Sequence, residues 1–423
     1  MAACGSTRAL TDPATTKVQA PLWPTATSFL KALISPADQK VTFVELFFDL
    51  VFVFAFTQVV GLFHDGVTWS STGQFVLVFW MVWWAWVQYT WTLNAADTTH
   101  SFIEVATLLA TGVAFFMAVA APDAYHGREL AFAVPYVATR VIGLTVYVMV
   151  AWADPKMRSA VVIFGATSAT GMVAVIAGAA IGGPAQYWCW GGAIALDVLA
   201  ASIGGRRQGW GLHPEHFSER YALFVIIALG ESLIVAAAGL TGATWTGGLI
   251  TIAVLSVALA GAMWWSYFKR AKAAVEHAMK ALVGPSQSTM ARDVFSVMHF
   301  PMICGVAAFA AAVKEAIAHP EDPLSTGARL ALASGVLLFV GGMALAKWRA
   351  TTQVLIHRVV AVACAAVAVA VTADVQPYVS LLIALAGVVG AIILEQMFTR
   401  TEHARDTAPT AASLAERRHD RSL

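Results

Sequence analysis

The chain has 423 residues, of which 59% are hydrophobic and only 12% charged, about half the charged share of a soluble domain. With a mean hydropathy of +0.70, that much apolar side chain has no room in a water-soluble fold, so soluble enzymes, disordered chains and coiled coils are excluded. A net charge of +1 gives no field for nucleic acid, and the scattered Cys4, Cys189, Cys304 and Cys364 imply neither a disulfide framework nor a zinc site. What remains is an all-α, polytopic membrane protein.

A spanning helix needs about 20 mainly apolar residues, because lipid offers backbone amides no partner. In chain order such runs lie near 43–63, 74–93, 102–121, 130–152, 159–180, 185–204, 219–240, 246–268, 294–317, 328–347, 355–373 and 378–398, which predicts twelve helices. Turn chemistry separates them: Ala121-Pro122-Asp123, Asp154-Pro155, Gly182-Gly183-Pro184 and His319-Pro320-Glu321-Asp322-Pro323. Residues 1–40 are polar and proline-broken, with no signal peptide, and the tail 399–423 is polar with the composition of a disordered segment. Basic residues collect before the first span, in the even-numbered loops (Lys156 and Arg158; Arg206 and Arg207; Lys269, Arg270, Lys272, Lys280 and Arg292; Lys347 and Arg349) and in the tail, whereas the odd-numbered loops offer Arg128 and Arg329. Basic loops stay inside, so both termini are expected in the cytoplasm and the protein in a bacterial inner membrane.

The two halves echo one another. Phe43-Val44-Glu45 answers Phe217-Ser218-Glu219, Trp83-Trp84 answers Trp264-Trp265, Gly112 with Phe116 and His126 answers Gly305 with Phe309 and His319, Trp152 answers Trp348, and Asp197 answers Glu395. The offset only grows along the chain, which predicts two like-oriented six-helix repeats, 41–204 and 205–398.

Charges inside a membrane are costly and mark candidate sites. Glu45 and Asp49, four apart, share one face of the first helix. Two neighbouring acids repel, so they are expected to share a proton or to meet a cation. A structural salt bridge to Arg220 or Arg140 competes with a substrate or proton site. The seventh helix opens with His216, Glu219 and Arg220, where capping and interfacial anchoring compete with function; Glu231 and Ser232 then fall near the midplane beside Gly230, and Glu231 is the stronger functional candidate. Gln58, Asp197, Asp293 and His299 complete the set, with Pro301 expected to bend the ninth helix. The Trp83, Trp84, Trp86 and Trp91 series reads as interfacial belt and packing. No metal-ligand spacing is present, and no cofactor is expected.

Three segments together resemble one family: Val44-Glu45-Leu46-Phe47-Phe48-Asp49 continuing to Gln58, then His216-Phe217-Ser218-Glu219-Arg220 continuing to Glu231-Ser232, then Arg292-Asp293 with His299-Phe300-Pro301 and Gly305. They resemble the bacterial low-temperature-requirement A family of multi-pass membrane proteins, from about Val41 to Glu395; Ala222 stands where that family usually has glycine. The resemblance implies an inner-membrane protein linked by name to growth in the cold and supplies no substrate. A proton-coupled secondary transporter in a lipid bilayer is the leading expectation, with Glu45, Asp49, Glu231 and His299 approaching one another. A lipid- or isoprenoid-acting intramembrane enzyme and a non-catalytic membrane protein are the alternatives. The absence of a Walker A sequence argues against ATP hydrolysis by this chain.

Overall fold

The computed structural model describes residues 26–63, 66–204, 212–353 and 355–407, with side chains left out for Arg270, Ala271 and 398–407. Among the described residues it is helical throughout, with one isolated bridge between Ile34 and Ala96. A short α1 (Ala26–Ala32) precedes α2 (Phe43–Val60), α3 (Trp69–Ala95), α4 (Ser101–Ala120), α5 (Glu129–Ala153), α6 (Pro155–Ile181) and α7 (Gly183–Gly204). Then follow α8 (Pro214–Leu240), α9 (Gly247–Ser266), α10 (Lys272–Lys280), α11 (Pro285–Ala291), α12 (His299–Ala318), α13 (Thr326–Thr351), α14 (Ile356–Val371) and α15 (Pro377–Thr407).

Every predicted apolar run lies on a helix. Local chemistry sets several starts: Thr42 and Glu45 form a capping box on α2, Asp154 caps α6 ahead of Pro155, and Thr246 and Ser325 cap α9 and α13. Among the described residues, ten segments are long and apolar enough to cross a bilayer. The expected runs at 74–93 and 355–373 are the two outside that set. The second of these, α14, has only 16 residues. α3 has 27, but much of its bulk is tryptophan and polar side chain rather than aliphatic. α3 is a core helix: Trp83, Trp84 and Trp86 are buried, so the belt reading does not hold for them.

α9 and α12 carry extensions that exceed any membrane requirement. Gly247–Lys280 and Pro285–Ala318 are each 34 residues of nearly continuous helix. A π-helical stretch interrupts each one, at Tyr267–Ala271 and at Arg292–Val297. The second precedes Pro301, which has no N–H to return to residue 297, so the disturbance expected there takes the form of a widened turn. At the tail end, α15 runs as helix to Thr407; the rest of the polar tail, like residues 1–25, lies outside the described residues.

Packing follows the same plan on both sides of residue 205. α2 packs on α3 and α4, and α8 on α9 and α12. α4 pairs with α5, α5 with α6 and α6 with α7; α12 pairs with α13, α13 with α14 and α14 with α15. α3 also touches α5 and α7, as α9 touches α13 and α15. Small residues permit the closest of these approaches: a Cβ on Gly305 of α12 would stand 2.5 Å from the Gly335 carbonyl oxygen of α13.

Candidate functional site

The acids of α2 meet the bases of α8. Glu45 and Asp49 project from one face of α2, and His216 and Arg220, also four apart, from one face of α8; all four are at most 1% exposed. Arg220 Nη2 donates to Asp49 Oδ1, and its Nε reaches Asp49 Oδ2 at 3.3 Å. Arg220 Nη1 lies 3.5 Å from Glu45 Oε2. His216 Nε2 stands 3.1 Å from Glu45 Oε1 and 3.0 Å from Oε2. Because 45 pairs with 216 and 49 with 220, α2 and α8 start at the same end of the bundle and run parallel.

α3 closes the cluster from the third side. Trp86 Nε1 donates to Asp49 Oδ1 at 2.7 Å, and the Arg220 guanidinium lies 5.8 Å from the Trp86 ring centre. Asn94, near the end of α3, grips the entry to α8: its Oδ1 accepts the His213 N–H at 2.9 Å, and its Nδ2 donates to the His213 carbonyl at 3.1 Å. That orientation turns the same NH2 toward His216 Nδ1, 3.0 Å away. A nitrogen facing a donor must accept, so the imidazole proton sits on Nε2, aimed at Glu45.

The electrostatic bookkeeping does not close. Asp49 receives Trp86 and two guanidinium contacts, whereas Glu45 Oε1 collects the Thr42 N–H and hydroxyl together with His216. Glu45 Oε2 is buried without a directed hydrogen bond. Two carboxylates, one guanidinium and a neutral imidazole carry one surplus negative charge, and a buried unpaired charge is expensive.

His216 also lines an open cavity of about 700 Å³ at the end of the bundle where α2 and α8 begin. Asp38, Lys40, His213, Glu219 and Lys280 form much of its wall. His213, outside the helices, has its pKa pushed below the usual histidine value by partial burial.

The other candidates are distributed. Glu231 follows Arg220 by three turns: at about 100° and 1.5 Å per residue it lies about 20° around α8 and roughly 16 Å further along. It is half-buried and has no hydrogen bond or ion pair among the described residues. The face it shares with Arg220 is buried at the start of α8 and less so toward its end, where Ile234 is 62% exposed. Ser232 only bonds back to the Leu229 carbonyl at 2.6 Å. Gln58, half-buried, lies on nearly the opposite side of α2 from Glu45. Glu219 is exposed in the cavity wall.

Asp197 belongs to a different centre, paired with the second arginine anticipated as a partner for the α2 acids. Arg140 on α5 donates from Nη1 and Nη2 to the two Asp197 oxygens, each at 2.8 Å, and is completed by Gln88, Tyr136 and Ser168. Asp293 is held by Arg292 and by Arg349 at 3.0 Å. His299 receives the Tyr267 hydroxyl on Nε2 at 2.9 Å and donates from Nδ1 to the Val294 carbonyl at 2.9 Å. Between His299 and the acid cluster stands an aromatic layer of Trp83, Trp86, Tyr221, Phe224 and Phe295. Trp83, Trp91 and Tyr221 all bond to Ser296 within the π-helical turn. Sequence reasoning alone does not place Asn94, Trp86 and Thr42 in the site, although Thr42-x-x-Glu45 is a recognisable capping pattern.

Residues 40–394 match the model of the family described as "Bacterial low temperature requirement A protein (LtrA)". The chain belongs to the LtrA family. The matched span holds every member of the α2–α3–α8 cluster as well as Glu231, Asp293 and His299. A relative in Rhizobium meliloti (strain 1021), named "Uncharacterized protein RA0937", is 30% identical over 327 residues, covering 72% of this chain and 76% of its own length. No solved structure matches the chain.

Proposed function

We propose that this LtrA-family membrane protein is a proton-coupled secondary transporter of a small solute. In this reading twelve helices form two like-oriented six-helix repeats in the inner membrane, with both termini in the cytoplasm. The matching helix pairings on either side of residue 205 support the repeat, and the placement of basic residues supports the orientation. α3 has the length to span, and α14 is the shorter member of its pair.

The observation that carries the reading is the location of the charged cluster. It joins α2 and α3 to α8, and so joins one half to the other, at the end assigned to the cytoplasm. On the same face of α8 Glu231 is half-buried and Ile234, further along, is exposed. In this reading the cluster closes the cytoplasmic end between the halves, and Glu231 is the acid that would couple proton and solute. Rocking of the halves would break the Arg220 contacts and expose the face inward.

Proteoliposomes loaded with a pH-sensitive dye test this. Addition of solute pools should move protons in reconstituted wild type and not in Glu231→Gln. Solute-independent proton flux, or equal flux in Glu231→Gln, would remove the coupling role.

A further inference from the structure

We infer that the Glu45–His216 pair is the port at which the protein exchanges a proton with the cytoplasm, and that Asn94 is the positioning residue that directs this proton to Glu45. The inference rests on the orientation given under the proposed function, and the proton site itself does not depend on solute transport.

Three features lead to it. The cluster carries one surplus negative charge. Asp49 has its oxygens occupied by the guanidinium and the Trp86 indole, whereas Glu45 Oε2 has ion-pair contacts to His216 Nε2 at 3.0 Å and Arg220 Nη1 at 3.5 Å but no directed hydrogen bond, so Glu45 is the acid left to take the proton. Of the two acids and two bases, only His216 borders the 700 Å³ cavity, so solvent reaches Glu45 past this one imidazole.

The step balances simply. A hydronium in the cavity gives up one proton, a water molecule remains, and the carboxylate becomes a carboxylic acid, taking the cluster from net negative to neutral. His216 cannot keep that proton as an imidazolium while Asn94 holds its geometry: an Nδ1–H would point at the Asn94 NH2, which the His213 N–H prevents from flipping. The groups facing the pair are Asp49 on α2, Asn94 on α3, Arg220 on α8 and His213 just before α8. Asp38 and Lys40 on the segment before α2, Glu215 and Glu219 on α8 and Lys280 on α10 line the cavity beside it.

Infrared difference spectroscopy of the protein in lipid nanodiscs, titrated across pH, reads a protonated buried carboxyl directly. Wild type should gain one carboxylic C=O signal as pH falls, and Glu45→Gln should lose it. Asn94→Asp, which supplies an acceptor to His216 Nδ1, should exchange the carboxyl signal for an imidazolium signature. If Glu45→Gln fails to fold, as judged by gel filtration, the Asn94→Asp exchange decides alone. A carboxyl signal retained in Glu45→Gln, or unchanged in Asn94→Asp, or absent from wild type, would overturn the inference. Loss of solute-driven flux with the titration intact would instead remove the transporter reading and leave the port standing.

Discussion

Two of the buried arginines in this bundle, Arg140 and Arg220, sit in opposite conditions. Arg140 lies within the first half, bidentate to one aspartate, with Gln88, Tyr136 and Ser168 taking its remaining contacts. One base meets one acid, and the cavity that holds His216 does not reach it. Arg220 bridges the halves, faces two acids, and is separated from an open cavity by a single imidazole. Equal burial therefore hides different tasks. A charge-balanced centre with all donors used holds a fold in one arrangement, and an unbalanced centre beside water is equipped to change protonation state.

That contrast can be broken in several ways. Breaking one partner of a closed pair leaves its mate uncompensated, so Arg140→Ala should cost about 3–5 kcal/mol, read as a collapse in detergent-extracted yield and melting temperature. Replacing both partners, Arg140→Met with Asp197→Leu, should recover most of that stability and retain activity in a cold-growth complementation assay. The corresponding pair of changes at Arg220→Met and Asp49→Leu should also recover extraction yield, yet complementation should fail. Activity surviving the second replacement would make the two arginines equivalent.

A subtler change sharpens the same point. Glu231→Gln should alter stability by less than about 0.5 kcal/mol, since the side chain has no partner among the described residues, while abolishing complementation. The smallest effect concerns His213. Its lowered pKa means that the unfolded chain binds more protons than the native one as pH falls below the ordinary value of 6.5, so stability declines in that window. His213→Gln should flatten this part of a melting-temperature profile; an unchanged slope would assign the decline to another group.

Much of the architecture was legible because it follows from lipid. Uninterrupted apolar runs have to be helices where no water pairs the backbone, and the four-residue spacing of Glu45 and Asp49 put them on one face before any fold was known. Arg220 and Arg140 both stood out as bases within apolar helices, but which acid each one meets depends on lateral packing, which a single chain does not encode visibly. Trp86 was absorbed into a presumed interfacial belt because tryptophan has the same spacing in a belt and in a core. The π-helical turns have no residue signature, so only Pro301 hinted at one of them. The apolar count also overstated the resemblance of α3 and α14 to ordinary spans, since one is built on tryptophan and the other is short.

Gly305 and Gly335 have a consequence for how this sequence can vary. Each backbone occupies the space where the other residue's first side-chain atom would go. Most packed positions can exchange volume, a larger residue on one helix being tolerated once its neighbour shrinks. Here neither neighbour has anything left to give up. Alanine at either position therefore has no rescuing partner at the other, and relief must come from the helices parting, which makes the pair an evolutionary dead end rather than a tunable contact.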